Sequence, residues 1–111
     1  MKKALLIFLC VTLTAVVLSS QDYKGKARVS GVVLDQDQKP IEGAKLKFFL
    51  PKANGGFEIT TDKEGKWTAA WIAQGAWNLD VEKSGYEPKK LVVNLAEQRK
   101  NPEMKINLKK K

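Results

Sequence analysis

The chain contains no histidine and a single cysteine, Cys10. Without histidine there is no imidazole general base, no Ser-His-Asp triad and no histidine metal site. Cys10 sits inside an apolar N-terminal stretch, so it is best read against that stretch. A lipoprotein signal needs a small residue just before the cysteine and a full apolar region ahead of it. Here Leu9 precedes Cys10, and only a short run separates it from Lys3. Cys10 therefore reads as an apolar residue of a leader, which leaves the mature chain without disulfides, cysteine nucleophiles or thiolate metal ligands. A glycine-rich phosphate loop is also missing. The expectation is a protein that is not an enzyme, with no catalytic residue, no cofactor and no metal ligand to assign.

The leader itself follows the order of an export signal. Met1-Lys2-Lys3 is basic, Ala4–Leu18 is mostly apolar, and Ser19-Ser20 supplies small residues ahead of the polar Gln21-Asp22. The apolar run carries Thr12 and Thr14 and is shorter than the ~20 residues a helix needs to span a bilayer. Residues 1–20 are accordingly read as a cleaved signal peptide. Cleavage after Ser19 places Val17 and Ser19 at the specificity positions, and cleavage after Ser20 places Leu18 and Ser20 there; the first is preferred. The expected location is periplasmic or secreted, with no stable membrane span once the leader is removed.

Lysine and arginine number 20 against 12 aspartates and glutamates, a formal net charge of +8. Lys2 and Lys3 of the leader account for two of these charges. Such an excess suits anionic surfaces such as lipid headgroups, acidic glycans or nucleic acid. Against this, the lysines are spread along the chain, alternate with apolar residues and form only a short run at Lys109-Lys110-Lys111, a pattern that serves solubility. An exported chain also meets little nucleic acid, so no nucleic-acid partner is expected.

Past the leader the hydrophobic period is two, and no stretch shows a helical stripe of useful length. Ser30–Leu50 sets the pattern, with Val32–Leu34 and Leu46–Leu50 flanking a turn that closes on Pro40-Ile41-Glu42-Gly43-Ala44. Strands are expected over 27–34, 44–50, 57–61, 66–72, 76–83, 89–95 and 103–109. The first places Val29, Gly31 and Val33 on one face; the second sends Leu46, Phe48 and Leu50 one way and Lys45, Lys47 and Phe49 the other. Asn54-Gly55 is a hairpin signal. In Thr61-Asp62-Lys63-Glu64-Gly65, Asp62 can accept backbone hydrogen bonds while Gly65 supplies positive φ. Ala73-Gln74-Gly75 reads as a three-residue hairpin loop that pairs the fourth and fifth strands, with Trp71 facing Trp77, Ala69 facing Leu79 and Trp67 facing Val81. Met104, Ile106 and Leu108 of the last strand point inward. The fold expected is all-β, a seven-stranded antiparallel sandwich of Greek-key, Ig-like type, in one domain over residues 27–109. A domain of this size buries enough surface to need no staple.

Several landmarks then resemble the carboxypeptidase regulatory-like domain family of prealbumin-like, or transthyretin-like, sandwiches. They are Gly31-Val32-Val33-Leu34-Asp35, Lys39-Pro40-Ile41-Glu42-Gly43-Ala44, the turn Thr61-Asp62-Lys63-Glu64-Gly65-Lys66-Trp67, Gly75-Ala76-Trp77-Asn78-Leu79 and Gly85-Tyr86. The resemblance implies a non-catalytic, accessory module. Without histidine, the hydrolase activity of transthyretin-like enzymes is ruled out. Collagen-adhesin relatives form a Lys–Asn isopeptide cross-link, and Asn107 stands in a plausible last-strand position. Val33 occupies the core-side position where the lysine belongs, so no such bond is expected.

Carboxylates carry what chemistry remains. Asp80 and Glu82 lie about 7 Å apart on the outer face of a strand, where alternating charge solubilises. Asp35 with Asp37, and Asp62 with Glu64, are too few for the six or more oxygens of a calcium site and read as turn residues. Tryptophan is the remaining question. Trp67, Trp71 and Trp77, with Phe49 and Tyr86, can be imagined as a platform for stacking sugar rings, and starch-binding modules share this sandwich shape. The hairpin register instead puts all three indoles on the core side, each burying on the order of 200 Å². Trp71, near the hairpin tip, is the tryptophan best placed for partial exposure. Ligand-binding candidates are thus Trp71, Phe49 and Tyr86. The function expected is an exported structural or protein-interaction module; the alternative is a carbohydrate-binding module. The expected partner is another protein or a glycan.

Overall fold

In the computed structural model the described residues are 23–96 and 101–111. The leader expected over 1–20 lies outside them. Seven strands, β1 Lys24–Leu34, β2 Lys45–Leu50, β3 Gly55–Thr60, β4 Lys66–Ile72, β5 Gly75–Glu82, β6 Lys89–Leu95 and β7 Met104–Asn107, form two sheets. One has the order β4-β1-β7 and the other β3-β2-β5-β6. Paired strands run antiparallel except β1 and β7, which are parallel, with Val33 opposite Ile106 and Leu34 opposite Asn107. The seven-stranded sandwich expected from the alternation is the one observed. No helix of the described residues is long and apolar enough to cross a membrane.

Local chemistry sets the turns. Between β1 and β2, Asp35 Oδ1 accepts the N–H groups of Asp37 at 2.8 Å and Lys39 at 2.9 Å. Asp62 repeats this between β3 and β4, taking the N–H groups of Glu64 and Lys66, both at 2.9 Å. These are local side-chain caps on tight turns. Gly65 completes the second turn with φ +73, and a Cβ there would come 2.6 Å from the carbonyl oxygen of Val33. Between β2 and β3 a short 3-10 turn, Pro51–Ala53, ends on Asn54 in the left-handed region at φ 48. Thr61 is buried and ties the β1–β2 connection to the following turn. Its hydroxyl donates to the Ile41 carbonyl at 2.6 Å and accepts the Ala44 N–H at 2.9 Å.

The core lies between the sheets and is centred on Phe48. Its ring stacks on Phe57 at 5.0 Å and meets Trp67 at 5.6 Å and Trp77 at 6.2 Å. Trp67 belongs to the three-stranded sheet and Trp77 to the other, so this cluster joins the two layers. Such aromatic pairs contribute about 0.5–1.5 kcal/mol each beyond area burial. Trp77 donates its Nε1–H to the Ala73 carbonyl at 2.9 Å. Trp67 lies across Gly31 of β1, where a Cβ would stand 2.7 Å from Cζ2 of the indole. Its Nε1–H is buried without a hydrogen-bond partner among the described residues.

The hairpin expected between β4 and β5 does not form. β4 pairs with β1, and β5 with β2 and β6, so the chain crosses from one sheet to the other at Ala73-Gln74-Gly75. Trp71 consequently does not face Trp77, nor Ala69 Leu79, nor Trp67 Val81 as strand neighbours. Each strand has one apolar face, and such a pair can bury it side by side in one sheet or face to face across the core. The loop's length fits both arrangements. The Ala73 N–H donates to the Tyr23 carbonyl at 2.8 Å, which fastens the linker to the start of β1 and directs it away from a hairpin.

Candidate functional site

The three candidate side chains lie in different parts of the molecule. Trp71 is on β4, an edge of the three-stranded sheet. Register there places Arg28 opposite Ala70 and Ala27 opposite Ile72, leaving Trp71 as an extra, unpaired residue. This is a β-bulge, and its backbone is left-handed at φ 58. The bulge breaks the alternation, so Ala70 and Trp71 are both exposed while Ala69 and Ile72 are buried. Trp71 is 74% exposed, which overturns its expected place on the core side. Trp67 and Trp77 are buried as expected. Left-handed backbone at a non-glycine residue costs about 1–2 kcal/mol. In this chain that conformation accompanies an indole directed at solvent.

Phe49 projects from the outer face of the four-stranded sheet and is 42% exposed. It pairs with Gly56 on one side and Asn78 on the other, and Asn78 pairs with Val92. Val92 is 64% exposed and was not singled out in the sequence, because it lies inside the apolar run Leu91-Val92-Val93, where no alternation marks which side is covered. Phe49, Asn78, Asp80, Lys90, Leu91 and Val92 line a shallow depression of about 430 Å³. The next row of the same face is Glu58, Lys47, Asp80 and Lys90 in register, an alternation of charge across four strands.

Tyr86 is half-buried beyond the end of β5, packed against the core and bridged to Lys110. The Lys111 N–H donates to the Gly85 carbonyl at 3.0 Å, and Glu87 N–H to that of Lys109 at 2.7 Å. The terminal lysine run is therefore held against the sandwich. Lys111 shares a groove of about 420 Å³ with Lys45, Lys83 and Tyr86. Trp71, Phe49 and Tyr86 do not converge on one site.

Asp35, Asp62, Glu64 and Glu82 are engaged locally. Glu82 pairs with Lys47 at 3.2 Å, and Asp80 stands between Lys47 and Lys90. The Asp35 carboxyl is held below the usual aspartate range, chiefly by the Lys39 N–H it accepts, with help from the Asp37 N–H and the charges of Lys110 and Lys39. No cluster of three or more potential metal-ligating side chains occurs among the described residues. The Asn107 side chain donates to the Asp35 carbonyl at 3.3 Å, and its own backbone oxygen accepts from Lys89 Nζ at 3.2 Å. Asn101, read only as part of a loop, is buried. Its amide donates to the carbonyls of Arg28 and Ala96 and accepts the Ala96 N–H, stapling the end of β6 to β1.

A family model for the carboxypeptidase regulatory-like domain matches residues 28–109. No curated protein matches the sequence. Among solved structures, the fold is similar to a minor pilin of Streptococcus agalactiae at TM-score 0.66 and 15% identity, over 79% of this chain and 46% of the pilin. It is similar to a Pseudomonas aeruginosa protein provisionally assigned as carbohydrate-binding at TM-score 0.62 and 9% identity, over 78% and 90%. It is also similar to the 3-chlorocatechol 1,2-dioxygenase of Rhodococcus opacus at TM-score 0.59 and 16% identity, over 81% of this chain and 62% of the enzyme. The chain thus spans less than two thirds of the dioxygenase and of the pilin. At these identities the likeness is one of fold.

Proposed function

We propose that this chain, which belongs to the carboxypeptidase regulatory-like domain family, works outside the cytoplasm as a non-catalytic module that binds another protein. The observation that carries this reading is the row Phe49–Asn78–Val92. Two exposed apolar side chains lie on either side of an asparagine on a regular sheet face, with a charge-alternating row beneath them. Apolar anchors rimmed by polar groups are the anatomy of a protein-binding patch. Export rests on the order of residues 1–20: basic start, apolar run, small-residue exit. The non-catalytic part rests on the lack of histidine and on the engagement of Asp35 and Asp62 in turns and of Glu82 in a cross-strand pair.

The test is a photo-crosslinker placed at Val92 in the native exporting cell. A single defined adduct, lost with Phe49→Lys and kept with Trp71→Ala, supports the reading. Equal capture of many proteins, indifferent to Phe49, refutes it. The depression around Phe49 favours carbohydrate as a second reading, because an aromatic ring flanked by Asn78, Asp80 and Lys90 can stack on a sugar and bond its hydroxyls. Retention on an immobilised polysaccharide, abolished by Phe49→Ala, would select it over the protein partner.

A further inference from the structure

The outer face of the three-stranded sheet carries charge of one sign. β1, β4 and β7 contain no aspartate or glutamate, and they expose Lys24, Lys26, Arg28, Lys66 and Lys105. In register, Lys66 and Lys105 flank Val32, and Arg28 stands beside the Trp71 bulge. Nearby acids are Glu64, which pairs with Lys66 at 3.2 Å, and Glu103, exposed just ahead of β7. Among the described residues, Lys24, Lys26, Arg28 and Lys105 enter no salt bridge. The other sheet differs, since there Glu58, Asp80 and Glu82 alternate with Lys45, Lys47 and Lys90.

We propose that this face is a docking surface for an anionic phospholipid membrane, with Trp71 as the residue that enters the headgroup layer. Charge complementarity identifies the class of partner, and shape narrows it. The depressions around Phe49 and around Tyr86 lie elsewhere and include none of these cations. Cations spread over three strands of one sheet fit an extended anionic plane better than a single glycan chain. Trp71 supplies an apolar body with one polar N–H, the composition found at membrane interfaces. Unlike Trp67 and Trp77 it stacks on no other ring among the described residues, and its bulge holds it outward. This surface is separate from the Phe49 row and does not depend on the protein-binding role assigned to it.

The experiment uses the chain as secreted by an exporting cell, so that the basic and apolar residues 1–20 do not contribute to binding. It is mixed with phosphatidylcholine vesicles, and with vesicles of equal parts phosphatidylcholine and phosphatidylglycerol. Binding is expected to be tighter to anionic vesicles and to fall as salt rises. Each basic residue near an anionic surface contributes about a fivefold gain in affinity, so Lys26→Ala with Arg28→Ala loses about 25-fold. Lys47→Ala with Lys90→Ala, on the other sheet, changes little. Trp71 is the exposed indole, so vesicle binding shifts tryptophan emission to the blue, and Trp71→Phe abolishes the shift while leaving the circular dichroism unchanged. Equal binding to both vesicle types, equal losses from the two lysine-containing pairs, or a Trp71→Phe variant that keeps the shift would each overturn the proposal. So would an emission shift caused by soluble dextran sulfate and not by vesicles, which would make the partner an acidic polymer.

Discussion

Replacing Gly31 by alanine probes the contact that joins three strands of the core. The new methyl group would meet the carbonyl oxygen of Met104 on β7, and the indole of Trp67 on β4 at 2.7 Å from Cζ2 and 2.9 Å from Cε2. Carbon atoms rest at about 3.5–4.0 Å, so the ring must retreat by about 1 Å. Phe48 lies behind it at a ring separation of 5.6 Å. Moving the ring alone is not enough, because the Met104 carbonyl belongs to the backbone and β7 must shift as well. Overpacking of this kind costs about 1–3 kcal/mol, and a backbone obstacle puts Gly31→Ala near 3. For a domain of this size 1 kcal/mol moves Tm by about 4–8 °C, so the expected loss is about 12–24 °C. Thermal unfolding followed by circular dichroism measures it. Gly85→Ala is the control, since nothing lies within 4 Å of its Cβ and only its φ of +87 opposes substitution. That control costs about 1 kcal/mol. A Gly31→Ala variant that melts within about 4 °C of the parent would refute the placement of Trp67 against β1.

Three further outcomes follow from the same geometry. Thr61→Val leaves the Ala44 N–H and Ile41 carbonyl without their buried partner and should lower unfolding free energy in urea by about 1–3 kcal/mol, whereas Thr61→Ser stays near the parent. Trp71→Gly removes the strain of a left-handed tryptophan, a gain of about 1–2 kcal/mol set against about 0.5–1 kcal/mol for glycine's extra freedom. Its stability in the same titration should equal or exceed that of the parent, and a clear loss would mean that Trp71 packs. Asp35 has a lowered folded-state pKa, so it stabilises the fold above the ordinary aspartate range and that contribution disappears as pH falls through the lowered value. Asp35→Asn should flatten this part of the acid limb of a stability-against-pH curve; an unchanged limb would show that the turn hydrogen bonds are not retained in solution.

Much of the fold was legible because its signals are local. β4 and β6 have the bounds expected from the alternation, and the Asp62–Gly65 turn is built from the acceptor and the positive-φ glycine that the residues announced. The partner of each strand was less legible. Trp67, Ala69 and Ile72 on β4, and Trp77, Leu79 and Val81 on β5, are apolar faces that can be buried beside one another or opposite one another. The pairing of β4 with β1 and of β5 with β2 and β6 shows which, and the tertiary bond from Ala73 to Tyr23 accompanies it. Trp71 was hidden for a related reason. A one-residue bulge reverses which side chain faces out, and its usual signature, a glycine in the left-handed position, is missing here. The parallel β1–β7 pair, the buried Asn101 staple and the pinned lysine tail are long-range features with no local mark.

Hydrogen exchange of the three indole Nε1–H groups by NMR tests most directly whether the bulge sorts two tryptophans inward and one outward. The account predicts slow exchange for Trp77, bonded to Ala73, and for Trp67, enclosed by Gly31 and Phe48, with Trp71 exchanging at the rate of a solvated indole. Protection of Trp71 comparable to that of the other two would contradict it, and with it the docking face built around that residue.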